Sequence, residues 1–128
     1  MIDHTGLHVS DPQRSKHFYN NALAPLGYEV VAEIPTKHTD GAVVLGYGVP
    51  PKPDFWMIEG TPNKPRFHIA FRAANRKQVD DFYKAAIAAG GKDNGAPGPR
   101  PHYHEHYYGA FVLDPDGHNI EAVCHVPE

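Results

Sequence analysis

Glu121 is the residue from which the chemistry of this chain is best approached. It lies in the stretch Phe111–Val123, FVLDPDGHNIEAV, where Asp114-Pro115-Asp116-Gly117 reads as a reversing turn. Pro115 presets φ at the second turn position, and Gly117 accepts the backbone that closes the turn. Runs suited to strands flank it, Tyr107–Leu113 before and His118–Cys124 after, so the unit is a hairpin. Alternation along the second strand puts Ile120, Ala122 and Cys124 on one apolar face, with Asn119, Glu121 and Val123 on the other. A carboxylate in the middle of a strand beside apolar neighbours is costly unless it is paired. Two readings are open: a solvated or salt-bridged glutamate, or a metal ligand or general base whose partners come from elsewhere. The chain holds ten histidines, three of them in the tract HYHEHYY as His102, His104 and His106. Such an excess serves either metal and acid–base chemistry or nothing beyond a histidine-rich surface loop.

The elements that must position these groups are short and punctuated by thirteen prolines and twelve glycines. His4–Val9 is a strand with His4, Gly6 and His8 on one face and Leu7 and Val9 on the other. Asp11 caps a helix with Pro12 at its first position, and Ser15, Phe18, Tyr19, Ala22 and Leu26 form its core-facing stripe up to Pro25 and Gly27. Tyr28–Ile34, Ala42–Tyr47 and Asp54–Glu59 are strands. Arg66–Arg72 alternates, His68, Ala70 and Arg72 against Phe67, Ile69 and Phe71. Asn75 and Gln78 make a capping box, followed by a stripe of Val79, Phe82, Tyr83, Ala86 and Ile87 up to Gly90-Gly91. Lys92–Pro101, polar and rich in Gly and Pro, reads as a loop with a short strand near its start.

At 128 residues the chain makes one domain. A net charge of −3 without any basic run gives no footprint for nucleic acid. No apolar stretch is long enough to span a bilayer, and MIDHTGLHV is neither a signal nor a transit peptide. The single Cys124 fits a reducing compartment. The expectation is a soluble, cytoplasmic protein.

Sliding the chain against itself by 64 residues lays His4 on His68, Phe18 on Phe82, Tyr19 on Tyr83, Ala22 on Ala86 and Gly27 on Gly91. With two residues dropped, Ile58-Glu59 falls on Ile120-Glu121. A repeat shared by strand, helix stripe and stop decides the architecture. The fold class is α+β: two tandem βαβββ modules, about 1–62 and 65–128, forming a curved mixed sheet around a central cavity with helices on the outer face. His4, Glu59, His68 and Glu121 are repeat-related and are expected to face that cavity.

On HTGLHVSD with FYNNALAPLGY in the first half, and FHIAF with VLDPDGHNIEAV in the second, nearly the whole chain resembles the vicinal oxygen chelate superfamily. That superfamily holds glyoxalase I, extradiol dioxygenases, and fosfomycin- and bleomycin-resistance proteins. The resemblance implies a divalent metal (Fe, Mn, Ni or Zn) with His4, His68 and Glu121 as ligands and Glu59 as a fourth through the two-residue gap. It also implies a homodimer, in some members with modules of different chains completing a site. Two imidazoles and a carboxylate leave open positions for two neighbouring oxygens of a small-molecule substrate. His104 or His106 would supply the acid–base histidine of a dioxygenase-like site, with Tyr107 donating to a bound oxyanion. His8, Trp56, Arg72 and His102 would line the pocket. A glyoxalase-type lyase or isomerase, and a protein that sequesters an aromatic ligand without turnover, are the alternatives.

Overall fold

The computed structural model describes residues 1–127. Twelve elements follow in chain order, and two of them are single 3-10 turns, Ala24–Leu26 and Thr36–His38. The first module has β1 (Thr5–Val9), α1 (Pro12–Leu23), β2 (Glu29–Glu33), β3 (Val44–Gly48) and β4 (Phe55–Glu59). The second has β5 (His68–Arg72), α2 (Arg76–Ala88), β6 (Lys92–Pro99), β7 (Tyr108–Leu113) and β8 (Asn119–Cys124). Each module is a four-stranded mixed sheet, β1-β4-β3-β2 and β5-β8-β7-β6, with its first strand parallel to its last. The βαβββ repeat read from the sequence is therefore present twice.

Local chemistry sets these boundaries. The Asp11 carboxylate accepts from the Gln13 and Arg14 amides and opens α1, while Asn75 accepts from the Gln78 amide and opens α2. The α1 stripe is buried as its spacing requires, although Leu26 lies in the 3-10 turn beyond the helix. In α2, Val79, Phe82 and Ala86 are buried, but Ile87 is exposed and stands outside the core. Gly27 and Gly90 take the left-handed conformation at the two helix ends, with φ of 84° and 99°. No helix among the described residues is long and apolar enough to cross a membrane.

Two expectations need correction. The short strand expected at the start of Lys92–Pro101 is present but runs for eight residues, Lys92–Pro99, through most of what reads as loop. It forms because it is the edge of its sheet, where only one side pairs and proline costs no ladder bond, and its register shifts around Gly95 absorb the irregular residues. The Arg100 guanidinium donates to the Ala96 and Gly98 carbonyls and holds that edge in place. The second correction is the repeat register. Gly6 pairs with Trp56 across β1 and β4, as Ala70 pairs with Glu121 across β5 and β8. Gly6 and Ala70 are repeat-related, so Trp56, not Glu59, is the counterpart of Glu121. The sequence alignment was three residues out, an odd slip, and an odd slip turns a strand residue to the opposite face.

The Asp114–His118 turn latches the modules together. Asp114 is buried; one oxygen accepts from the Asp116 and His118 amides at 2.9 Å each, and the other accepts from the Tyr19 hydroxyl of α1 at 2.5 Å. Asp116 accepts from the Ser10 amide and hydroxyl. The buried His118 ring accepts from the Phe67 amide through Nδ1 (3.0 Å) and donates through Nε2 to the His8 carbonyl (2.9 Å). The motif that looked like a hairpin turn thus also fastens β8 to the first module.

Candidate metal centre

Glu121 stands mid-strand in β8 with only 1% of its surface exposed, so its carboxylate must be satisfied by protein groups or a bound cation. Its Oε1 lies 3.0 Å from His68 Nε2, at the start of the neighbouring strand β5. Its Oε2 accepts a short hydrogen bond from the Tyr107 hydroxyl, just ahead of β7. Burial, and then the bond to Glu121, push the Tyr107 hydroxyl well above the usual tyrosine range.

The hairpin explains why Tyr107 can reach. In the β7–β8 register Phe111 faces Glu121 and Gly109 faces Val123, so Gly109 and Phe111 lie on the face that carries the carboxylate. A Cβ on Gly109 would come 3.0 Å from Tyr107 Cε1 and 3.2 Å from Glu121 Oε2. The missing side chain is what lets the phenol lie along the strand and meet the acid.

The other nitrogen of His68 settles its tautomer. Nδ1 lies 3.0 Å from the Asn119 carbonyl, which can only accept, so Nδ1 carries a proton. In a neutral imidazole Nε2 then presents a lone pair to a carboxylate oxygen 3.0 Å away. Two acceptors at that distance repel unless a proton or a cation lies between them. Two ligands at right angles around an ion, each at about 2.1 Å, would also be separated by about 3 Å. The pair therefore fits as neighbouring ligands of a divalent ion, with the Asn119 carbonyl and Tyr107 orienting them from behind. The His68 ring also stacks near Phe111, centroids 6.2 Å apart.

The remaining expected residues are distributed as follows. His4 precedes β1, is exposed, and pairs with Asp3 at 2.7 Å. It lines the hollow on the first sheet with Trp56, whereas His68 lines a groove with Arg72, Tyr28 and Asp54. Among the described residues no group of three or more His, Cys, Asp or Glu is placed to hold a metal within the one chain. His68 and Glu121 are brought together; His4 is not. Glu59, at the end of β4, is opposite Val9 on the helix-facing side, and its carboxylate accepts from the Val43 amide at 3.0 Å. Glu59 is thus turned to the face opposite the one that carries Trp56. His8 lies against Asn63 of the inter-module segment. His102 and His104 are exposed, and His106 lies 3.8 Å from its neighbour Glu105. Of the HYHEHYY tract, Tyr107 is the residue bonded to Glu121, although Tyr103 and His125 flank its ring edge-on at 5.1 and 5.2 Å.

Sequence reasoning missed the supporting roles of Gly109, Phe111 and the Asn119 carbonyl. The hairpin register carries the signal for the first two, since pairing outward from the turn puts both on the Glu121 face. The Asn119 carbonyl is backbone and leaves no trace in residue type.

Residues 1–122 match the family model of the Glyoxalase/Bleomycin resistance protein/Dioxygenase superfamily. A glyoxalase/bleomycin resistance protein from Albidiferax ferrireducens T118 is 28% identical, with a TM-score of 0.72 over 97% of this chain and 98% of that one. At lower identity the likeness is one of fold. A glyoxalase I variant from Zea mays gives 21% identity and a TM-score of 0.74 over 95% of this chain and 46% of that one. A variant of the fosfomycin resistance protein FosX from Listeria monocytogenes, complexed with Mn(II) and a dihydroxypropylphosphonic acid, gives 19% and 0.67 over 100% and 90%. No curated protein sequence matches the chain. With the paired βαβββ modules and a family match over almost its whole length, the chain belongs to the glyoxalase/bleomycin resistance protein/dioxygenase superfamily.

Proposed function

We propose that this protein is a metal-dependent enzyme that binds a small substrate through two neighbouring oxygens, with His68 and Glu121 of one chain and His4 of a second copy as ligands. The observation that carries the reading is the approach of His68 Nε2 and Glu121 Oε1, two acceptors when the imidazole is neutral, to 3.0 Å with the glutamate buried and the histidine half-exposed. A divalent ion bound there supplies Lewis-acid stabilisation to charge developing on substrate oxygens. The chain's own residues do the rest. Asn119 fixes the imidazole tautomer, Tyr107 fixes the carboxylate rotamer, and the apolar strand neighbours keep water from competing for the acid. A three-ligand set with its fourth position given up to Trp56 favours a dioxygenase-like site over the four-ligand glyoxalase I arrangement. The site is assigned between chains because His4 and the His68–Glu121 pair lie on different sheets of one chain.

Elemental analysis of untagged protein tests the ligands: about one divalent ion per chain is expected in the wild type, and a near-complete loss in His68→Ala and Glu121→Ala. Co-expression tests the shared site. His4→Ala and Glu121→Ala chains are each expected to bind no metal alone. Random pairing should then restore roughly a quarter of the wild-type content, since half the dimers are mixed and each holds one intact site. Mixed dimers without metal would place the site within one chain, and a wild type that takes up no Fe, Mn, Ni or Zn would end the metalloenzyme reading. If the metal taken up is iron, anaerobic loading followed by catechol and dioxygen is the assay for ring cleavage; if it is nickel, zinc or manganese, lyase and isomerase substrates come first.

A further inference from the structure

The first sheet carries an indole where the second carries a carboxylate. Trp56 faces out of β4 opposite Gly6, in the place that Glu121 takes opposite Ala70. Its ring lies against the sheet. Gly46 of β3 pairs with Trp56, and a Cβ there would come within 2.9 Å of Cζ3 and Cη2 of the indole and of Pro53 Cβ. The bare backbone of Gly46 is therefore the bed on which the six-membered ring lies. Around it is a hollow of about 540 Å3 with Ile34, Val44 and Ile58 as walls and the His4 imidazole at its margin. Among the described residues no Lys, Arg, Asp or Glu side chain lines it. A fixed aromatic face, aliphatic walls and a single imidazole make a poor site for a phosphonate or a carboxylate-rich thiol and a good one for a flat uncharged ring.

We propose that Trp56 is the specificity-determining residue of the site, a stacking platform for a flat, uncharged ring of the substrate, which carries its two oxygens toward the ion beside His4. This rests on the metal reading above, because Trp56 follows His4 into whichever site His4 completes. The repeat offered a position for a fourth ligand, and the chain has spent it on substrate recognition.

Two measurements separate the platform from the metal. Trp56 is the only tryptophan, so emission excited at the red edge of the indole band, beyond tyrosine absorption, reports on this one ring. Metal-free wild type titrated anaerobically with catechol is expected to show saturable quenching, and the same titration with glycolate none. Calorimetry on protein loaded with Zn(II) then compares Trp56→Ala and Trp56→Phe with wild type. Catechol affinity should fall about tenfold in Trp56→Ala and stay within about threefold in Trp56→Phe, while glycolate affinity is unchanged in both. Unchanged glycolate binding shows that the variants fold and keep their ligands. Equal loss for catechol and glycolate, or no loss for either, overturns the platform while leaving the metal site intact. Saturable catechol quenching in a protein that takes up no metal leaves the platform standing and removes the metal reading instead. If Trp56→Ala does not fold, loss of catechol discrimination in Trp56→Leu is the substitute, and retained discrimination there overturns the proposal.

Discussion

At the scale of single residues, the Glu121 cluster is where the proposed metal site can be tested most directly. Its carboxylate is buried, one oxygen receives the Tyr107 hydroxyl, and the other lies 3.0 Å from His68 Nε2, two acceptors facing each other if the imidazole is neutral. Replacing the acid by its amide should relieve that facing. In Glu121→Gln the amide nitrogen can donate to His68 Nε2 while the amide oxygen still accepts from Tyr107. The metal-free variant is therefore expected to be more stable than metal-free wild type by about 1–2 kcal/mol, with a midpoint about 3–6 °C higher in a thermal melt. The same substitution should abolish metal uptake. A gain in stability with a loss of binding is the pattern expected of a group retained for function. A destabilised Glu121→Gln would mean that the pair is an ordinary salt bridge. Tyr107→Phe is the complementary case: the acid loses the donor that orients it, and metal affinity should fall by about 10- to 100-fold in a competition titration.

At the scale of elements, glycines do two different jobs at the helix ends, and the repeat obscures which is which. The sequence aligned Gly27 with Gly91, yet the left-handed residue of the second helix end is Gly90. Gly91 is a packing residue: a Cβ there would come 2.4 Å from Val112 Cγ1, 2.7 Å from Phe18 Cε1 and 2.9 Å from the Ala86 carbonyl. Gly91→Ala is expected to cost about 2–4 kcal/mol, read as a shift of the denaturant midpoint, because α1, α2 and β7 would all have to part. Much at this scale was legible in the residues. The caps at Asp11 and Asn75, the α1 stripe, the Val79, Phe82 and Ala86 part of the α2 stripe and the hairpin turn follow from local chemistry that tertiary context did not override. β6 was not legible, because a run with Gly95, Pro97, Gly98 and Pro99 has no strand propensity of its own and is held by its edge position and by Arg100. The register of β4 was hidden as well. Matching Ile-Glu with Ile-Glu is an argument from letters, whereas which residue faces which is decided by pairing with β1, and that pairing chose Trp56. His68 and Glu121 could be picked out because both modules repeat; their separation from His4 could not, since it depends on how two sheets are set relative to one another.

For the whole molecule, the modules are held by a shared core, with Tyr28 and Phe55 packed on Phe71, and by the Asp114–His118 latch, which carries its own pH dependence. Burial raises the Asp114 carboxyl above its ordinary value, against the opposing pull of the hydrogen bond from Tyr19. A carboxyl that is raised in the folded state holds its proton to higher pH than in the unfolded chain. Its contribution to stability is therefore complete below the unfolded value, about 4, and is lost as pH rises through the folded one. Asp114→Asn removes that titration and keeps an oxygen for the two turn amides, so wild-type stability relative to the variant should decline as pH is raised from about 4 toward neutrality. A difference that is flat or rises over that window would mean that the hydrogen bonds outweigh burial. In this arrangement His4 and Trp56 line a hollow on the first sheet, while His68 and Glu121 face each other on the second. On the proposed reading, a two-fold pairing that sets the first module of one copy against the second of its partner would complete both at once. Metal binding and pairing are then linked, because an ion that takes ligands from two chains binds the dimer alone. Sedimentation equilibrium should give twice the chain mass for metal-loaded protein. Treatment with a chelator should weaken self-association by at least about tenfold, and His4→Ala should weaken it to the same extent with metal present. A dimer whose dissociation constant ignores both chelator and His4→Ala would separate pairing from metal binding and require the third ligand to come from elsewhere.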